Sequence, residues 1–146
     1  MKNHYLLFLL FIFPIILGSC DSDSSEMAAE KAKRIEVMDH HDVVMPMMGT
    51  TNKVRKQLKK FKKDRPDLPE ETADRIDGLI DDLDKADEGM MDWMNGFQSL
   101  KSLRKDKDHE AIMQYLDEQE VLIKQVGKDM TNSIQSGINF MEQFAQ

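Results

Sequence analysis

Hydrophobic residues recur every seven positions through the second half of the chain and mark its most regular element. The repeat has two lines offset by three positions: Ile76, Leu83, Met90 and Phe97, and Leu79, Ala86, Trp93 and Leu100. This spacing places both lines on one face of an α-helix, as at the seam of a coiled coil. The pattern predicts a helix over residues 69–104 with one apolar face.

Weaker forms of the same pattern predict two further long helices, over residues 27–64 and 108–144. In the last helix the apolar positions are Ile112, Leu116, Ile123, Val126, Met130, Ile134, Met141 and Phe144. Pro46 lies inside the first helix and is expected to kink it. Glycines in helix interiors cost ~1 kcal/mol each relative to alanine, so the helices either bend there or allow neighbouring backbones to approach closely.

The breaks between the helices carry residues that end and start helices. Pro66 forces Arg65 out of helical geometry, and Pro69 suits a first helical position. Asp108 is expected to cap the start of the last helix. Because short connections make neighbouring helices antiparallel, we predict an all-α fold, an antiparallel up-down-up three-helix bundle with coiled-coil-like packing over residues 27–146.

Charge supports the pairing of the first two helices. Residues 53–65 contain eight cations and one acid, whereas residues 67–92 contain eleven acids and two cations. A turn at Pro66 lays the two stretches side by side, so that opposite charges face each other. The alternative interpretation of the basic stretch is a binding patch for phospholipid or lipopolysaccharide.

The first 19 residues have the layout of an export signal. Lys2 gives a positive start, residues 5–18 carry no charge, and the small residues Gly18 and Ser19 end the run. The run is shorter than the ~20 apolar residues that a membrane-spanning helix needs. Residues 1–19 are therefore predicted to be a signal peptide that is removed.

Cys20 follows this signal and is the only cysteine in the sequence. The tetrapeptide LGSC that ends at Cys20 resembles the lipobox of bacterial lipoproteins, which implies a diacylglyceryl group on the sulfur and an acylated amine. An ordinary secretory signal would instead leave an unpaired thiol in an oxidising compartment. At ~0.8 kcal/mol per buried methylene, two or three acyl chains give stable attachment to a lipid bilayer. Residues 20–26 are predicted to combine the lipidated cysteine with a flexible tether.

Length, net charge and composition limit the classes of function that we expect for this chain. Without residues 1–19, which include Lys2, 127 of the 146 residues remain and the formal charge changes from -7 to -8, which fits one small domain. Nucleic acid is not an expected partner because the chain has no basic excess. With the cysteine assigned to lipid and the carboxylates spread over solvated helix faces, no catalytic arrangement stands out. We therefore do not expect an enzyme.

Methionine and histidine are concentrated in two segments that the predicted fold brings side by side. Six of the twelve methionines fall within residues 45–48 and 90–94. Thioether and imidazole ligands suit Cu(I). The first candidates for a copper site are His41, Met45, Met48, Met90 and Met94. The alternative interpretation is that methionine fills irregular core space against Trp93.

Two further histidine interpretations are weaker. His40 and His41 could hold zinc together with an aspartate. Neighbouring helical side chains point ~100° apart, however, so the two rings do not easily share one ion. His109 lies near a predicted connection and is expected to be solvated.

Residues 38–49, MDHHDVVMPMMG, and residues 86–94, ADEGMMDWM, resemble a group of short, uncharacterised Bacteroidetes lipoproteins. The resemblance covers most of the mature chain. Some members carry the label viral A-type inclusion protein, which reflects generic coiled-coil similarity and implies no activity and no site. What the resemblance implies is a location in the cell envelope.

These features predict a lipid-anchored envelope protein that acts as a helical interaction module for another envelope protein. The alternative is a copper-binding lipoprotein, and a homo-oligomer of the long helices is also compatible with the pattern. An aspartate after a lipidated cysteine usually means inner-membrane retention in enteric bacteria, whereas an acidic stretch there resembles a surface-export signal in Bacteroidetes. The leaflet stays open, and the Bacteroidetes resemblance favours the outer membrane.

Overall fold

The computed structural model describes residues 20–144, with side chains from residue 23 onward, and this part of the chain is all-helical without a strand. The helices are α1 (Cys20–Val44), α2 (Met47–Lys63), α3 (Glu70–Gly96), the single turn α4 (Leu100–Leu103) and α5 (His109–Gln143). The predicted signal peptide, residues 1–19, and the side chain of the predicted lipidation site, Cys20, lie outside the described residues. Between residues 20 and 144 no helix is long and apolar enough to cross a membrane.

The predicted first helix is two helices. A turn at Met45 and Pro46 separates α1 from α2, and Pro46 precedes α2 with a φ of -61°. Proline lacks the N–H that a continuous helix would need there, while its fixed φ suits the start of a new helix. At the other end, α1 begins at Cys20 and therefore includes residues 20–26, which were predicted as a tether.

The predicted second helix is also interrupted. Helix α3 ends at Gly96, and Phe97 has an extended ψ of 110°. The short helix α4 follows, with the Ser99 side chain accepting a hydrogen bond from the Ser102 N–H at its start. The predicted cap of the last helix is confirmed, because Asp108 Oδ1 accepts a hydrogen bond from the Ala111 N–H at 2.9 Å.

Side-chain contacts fix the relative directions of the helices. Helices α2 and α3 run in opposite directions, because Arg55 pairs with Asp84 and Lys62 pairs with Asp77. The pairs Trp93–Gln119 and Arg75–Gln143 orient α3 and α5 in the same opposed manner. Contacts from Lys33 to Glu120 and from Val54 to the Gly137 position show that α1 and α2 run in the same direction as α5. Helix α5 packs against α1, α2 and α3.

The seven-residue repeat does face the core, as the pattern predicts. Ile76, Leu83 and Met90 are fully buried, and Ala86 and Trp93 are 6% and 7% exposed. Two clusters fill most of the interior. One surrounds Met90 and Trp93 where α1, α3 and α5 meet, and the other surrounds Leu83 and Phe140 between α2, α3 and α5.

Two glycines of α5 allow close helix contacts. A Cβ placed on Gly137 would lie 2.5 Å from Val54 Cγ1 of α2, and one on Gly127 would lie 2.8 Å from Val44 Cγ2 of α1. Both distances are too short for real carbon atoms. Of the two explanations for interior glycines, close approach of a neighbouring helix therefore applies at these positions.

Candidate functional site

The two methionine segments do meet in the folded chain. Met90 is fully buried in the core cluster around Trp93, and four partly buried methionines pack against that cluster. These are Met38, Met47, Met48 and Met94. Met130 of α5 is a second fully buried methionine in the same cluster. We call the six methionines, with Trp93, the methionine cluster.

His41 lies at the edge of the methionine cluster. Its ring stacks on Trp93 with a centroid distance of 5.6 Å and an interplanar angle of 27°. Its Nδ1–H donates to Asp42 Oδ1 at 2.9 Å. In the neutral ring this hydrogen bond leaves the lone pair on Nε2, the arrangement that metal-binding histidines commonly have.

Trp93 is the centre of an aromatic row that joins three helices. His41 covers one side, and Phe97 stacks on it at a centroid distance of 4.7 Å. Phe97 in turn stacks on Tyr115 of α5 at 6.3 Å. The Trp93 Nε1–H donates to the Gln119 carbonyl at 3.3 Å, so its polar group is also satisfied. The row ties α1, α3 and α5 together at the level of the methionine cluster.

The five predicted copper ligands are thus brought together in part. Met48, Met90 and Met94 belong to the methionine cluster and His41 adjoins it, whereas Met45 lies in the turn after α1 and is 40% exposed. Met38, Met47 and Met130 belong to the cluster but were not among the first candidates. Among residues 20–144, no three His, Cys, Asp or Glu side chains form a metal-binding group. Any metal here would therefore depend on the sulfur atoms.

The two adjacent histidines point apart, as helix geometry predicts. His41 faces Trp93 of α3, whereas His40 Nε2 lies 3.3 Å from Glu120 Oε1 of α5. The two rings therefore contact different helices and do not converge on one ion.

Behind Trp93, an open groove runs between α3 and α5 on the side away from α1. It encloses about 370 Å³ and is lined by Gly89, Asp92, Trp93, Gly96, Gln119, Leu122, Gln125 and Val126. We call it the α3–α5 groove. Leu122 is 51% exposed at its edge, and no basic residue lines it. A neighbouring depression is lined by Asp117, Glu118, Val121 and Leu122, which extends the same apolar and acidic surface along α5.

The comparisons with known proteins do not assign this chain to a family. No protein-family model matches this chain, and no curated protein or solved structure is significantly similar to it. Function must therefore be argued from the residues themselves.

Sequence reasoning missed a buried ion group in the first half of α1, around Glu30. The Glu30 side chain is 4% exposed and contacts Arg104 at 2.5 Å and His109 at 3.1 Å. His109 had been expected to be solvated, but it is only 32% exposed and lies against this carboxylate. The signal in the sequence was weak, because Glu30 lies 74 positions before Arg104 and 79 positions before His109.

A second ion group joins α1 to the middle of α5. Lys33 Nζ lies 2.5 Å from Glu120 and 2.8 Å from Asp117, and Lys124 also pairs with Glu120. Hydrogen bonds from Lys124 and Lys33 lower the pKa of Glu120 to about 2, and hydrogen bonds to Asp117 and Glu120 raise the pKa of Lys33. Both shifts favour the charged forms that hold α1 against α5.

Acid is expected to weaken the fold through Glu120. Its pKa is about 2 in the folded chain against an ordinary 4.5, so the stabilisation is complete above pH 4.5 and is lost as the pH falls toward 2. Thermal melting at pH 7 and pH 3 measures the loss, which should be smaller in Glu120→Gln than in the wild type. Glu118→Gln is the matched control, since Glu118 pairs only with Gln114 on the exposed side of α5. Equal losses in all three proteins would contradict the prediction.

Proposed function

We propose that this chain is an envelope lipoprotein, anchored through acyl chains on Cys20, that binds a helix of another envelope protein in the α3–α5 groove. We further propose that its helices form one up-down-up bundle, in which α1 and α2 together make the first limb. The opposed directions of α3 and α5, and the shared direction of α1, α2 and α5, support this topology. Coiled-coil-like packing is supported by the buried seven-residue repeat of α3.

The exposed apolar surface of the α3–α5 groove is the observation that carries the proposal. Leu122 and Val121 are 51% and 68% exposed beside it. Gly89 and Gly96 have no side chains that would fill the groove. A Cβ on Gly89 would meet only Val126, at 4.0 Å. An amphipathic helix laid into such a groove would bury its own apolar face against these residues.

Charge indicates the kind of helix that fits. Acidic residues flank the groove and its extension, namely Asp92, Asp117 and Glu118. A partner helix with lysine or arginine beside its apolar stripe would complement this rim, and complementary rims speed association and exclude wrong partners. The acyl anchor would confine both proteins to one membrane surface and raise their effective concentration.

Crosslinking in the host membrane tests the proposal. A photoreactive residue at Gln125, which lines the groove, should crosslink to one specific envelope protein. Leu122→Lys should reduce the yield at least tenfold, since it places a charge in the apolar contact. Val43→Lys is the matched control, because Val43 is 72% exposed on α1, away from the groove. Recovery of this chain alone, or equal yields from both variants, would refute the proposal.

Copper binding is the second candidate, favoured by one geometric observation. The Nδ1–H of His41 is held by Asp42, which leaves Nε2 to act as a ligand, and the ring stacks on Trp93 of the methionine cluster, whose thioethers suit Cu(I). Met38, Met47, Met48 and Met94 are the partly buried methionines of the cluster, and Met45 is exposed in the adjoining turn.

A Cu(I) titration against a colour-forming chelator separates the two candidates. The mature chain carrying Cys20→Ser removes the thiol as a competing ligand. His41→Gln with Met48→Leu should lose the bound copper, whereas Met113→Leu, outside the cluster, should keep it. If the parent retains no more copper than the His41→Gln, Met48→Leu variant, the copper function is wrong, and the crosslinking result is unaffected.

A further inference from the structure

Only some of the basic residues of α2 form ion pairs within the described part of the chain. Arg55 pairs with Asp84 and Asp87, and Lys62 pairs with Asp77, so two side chains cross to α3. Lys60 pairs with Asp64 at the end of its own helix. Within residues 20–144, no ion pair engages Lys56, Lys59 or Lys63, and all three are exposed.

These free lysines share one face with acidic residues of α3. An open groove of about 420 Å³ between the two helices is lined by Lys59, Lys62, Lys63, Asp77, Ile80, Asp81 and Asp84. Lys56 precedes this set by one helical turn of α2, and Glu88 extends it by about one turn of α3. We call this surface the hairpin face. It is basic along α2 and acidic along α3, with the apolar side chain of Ile80 between them.

A surface of this kind is complementary to itself. A two-fold axis parallel to the helices places α2 of one copy over α3 of the other, so that basic residues meet acidic residues twice. An in-plane axis across the helices would place α2 on α2 and α3 on α3, which is repulsive. The charge pattern therefore selects one symmetric arrangement, in which the same surface is used on both copies.

The alignment of α2 with α3 within one chain also determines which residues meet between the two copies. Arg55 lies level with Asp84 and Lys62 level with Asp77 within one chain. Rotation about an axis parallel to the helices preserves these levels. Lys59 therefore lies opposite Asp81 of the second copy, which pairs with Lys85 in its own chain, and Lys63 lies opposite Asp77, which pairs with Lys62. In the dimer each of these carboxylates would contact two lysines.

We propose that the hairpin face is the interface of a homodimer with this two-fold symmetry. A membrane surface of anionic lipid fits less well, because the acidic residues of α3 lie in the same plane as the lysines and would be repelled. Exposed ion pairs are individually weak and are screened by salt, so the dimer is weak in solution and dissociates at high ionic strength. The hairpin face and the α3–α5 groove share no lining residue, so either proposal can fail while the other stands.

Charge reversal in two separate variants tests this directly. Lys59→Glu with Lys63→Glu reverses two of the lysines of the face, and Asp77→Lys with Asp81→Lys reverses two of its acids. The mature chain carrying Cys20→Ser is measured by light scattering and sedimentation at low and high ionic strength. We expect a dimer for the parent at low ionic strength, monomers for each variant alone, and a dimer again when the two variants are mixed in equal amounts.

Controls keep the outcome interpretable. Lys31→Glu with Lys128→Glu changes the net charge by the same amount as the acidic variant but at exposed sites outside the face, and should remain dimeric. Circular dichroism melting confirms that each variant folds. A parent that stays monomeric at low ionic strength overturns the proposal, as does a mixture that stays monomeric. Binding of the monomeric parent to phosphatidylglycerol vesicles, lost in the acidic variant and strengthened in the basic one, would assign the lysines to lipid instead.

Discussion

Replacing Arg104 with leucine should lower the free energy of unfolding by about 2 to 3 kcal/mol, because it leaves the Glu30 carboxylate buried without its main partner. Glu30 is 4% exposed, whereas Arg104 is 36% exposed, so the acid cannot recover water where it lies. His109 remains as a second contact and limits the loss. Urea unfolding at pH 7, followed by circular dichroism, measures the change.

The reverse change provides the control. Glu30→Gln removes the buried charge and leaves Arg104 and His109 free to hydrate, so it should cost only about 1 kcal/mol. Adding Glu30→Gln to Arg104→Leu should restore part of the lost stability. If the double variant were less stable than Arg104→Leu alone, the buried carboxylate would not be the cause.

Alanine at Gly137 should destabilise the chain by about 2 kcal/mol, even though alanine favours helix formation by ~1 kcal/mol. The added carbon would lie 2.5 Å from Val54 Cγ1 and 3.4 Å from Leu58 Cδ1. Because Val54 is 2% exposed and branched at Cβ, it cannot turn away, and α2 must move from α5. Thermal unfolding measures the loss.

Gly78→Ala is the matched control for this prediction. Gly78 lies in the interior of α3, and a Cβ there would meet nothing within 4 Å. The same substitution should therefore stabilise the chain by about 0.5 to 1 kcal/mol. Combining Gly137→Ala with Val54→Ala should cost less than the sum of the two single changes, and strict additivity would argue against the contact.

The sequence predicts the helical fold well where one face alone meets the core. The repeat from Ile76 to Met90 identifies that face because burial selects apolar residues at helical spacing. The interruption at Pro46 was expected only as a kink, since the sequence does not reveal whether a helix bends or restarts. The break after Gly96 had no comparable signal in the sequence. Phe97, which follows the break, stacks on Trp93.

The candidate site was predictable only in part: the sequence brought the two methionine segments together, but it did not predict the full set of methionines or their geometry. Helical spacing and the turn at Pro66 brought the two methionine segments together, as the methionine cluster confirms. The exposure of Met45 follows from the turn after α1, which the sequence placed inside a helix. The Glu30 group depends on the register of α1 along α5, and that register is set by packing over the whole bundle.

The start of α1 affects how the anchor would present the bundle. Residues 23–29 are helical and exposed, and Glu30 is the first buried residue among the described side chains. Helix α1 therefore extends about 15 Å from Glu30 to Cys20, at 1.5 Å per residue. With acyl chains on Cys20, a short helical stalk would hold the bundle just above the bilayer.

The anchor at Cys20 is the claim on which the proposed function rests, and the mass of the mature amino terminus tests it most directly. The chain is extracted from host membranes, digested, and its first peptide is measured by mass spectrometry. The account predicts a peptide that begins at Cys20 and carries the mass of a diacylglyceryl group with an amide-linked acyl chain. A peptide that begins elsewhere, or a Cys20 that carries no acyl mass, would contradict it.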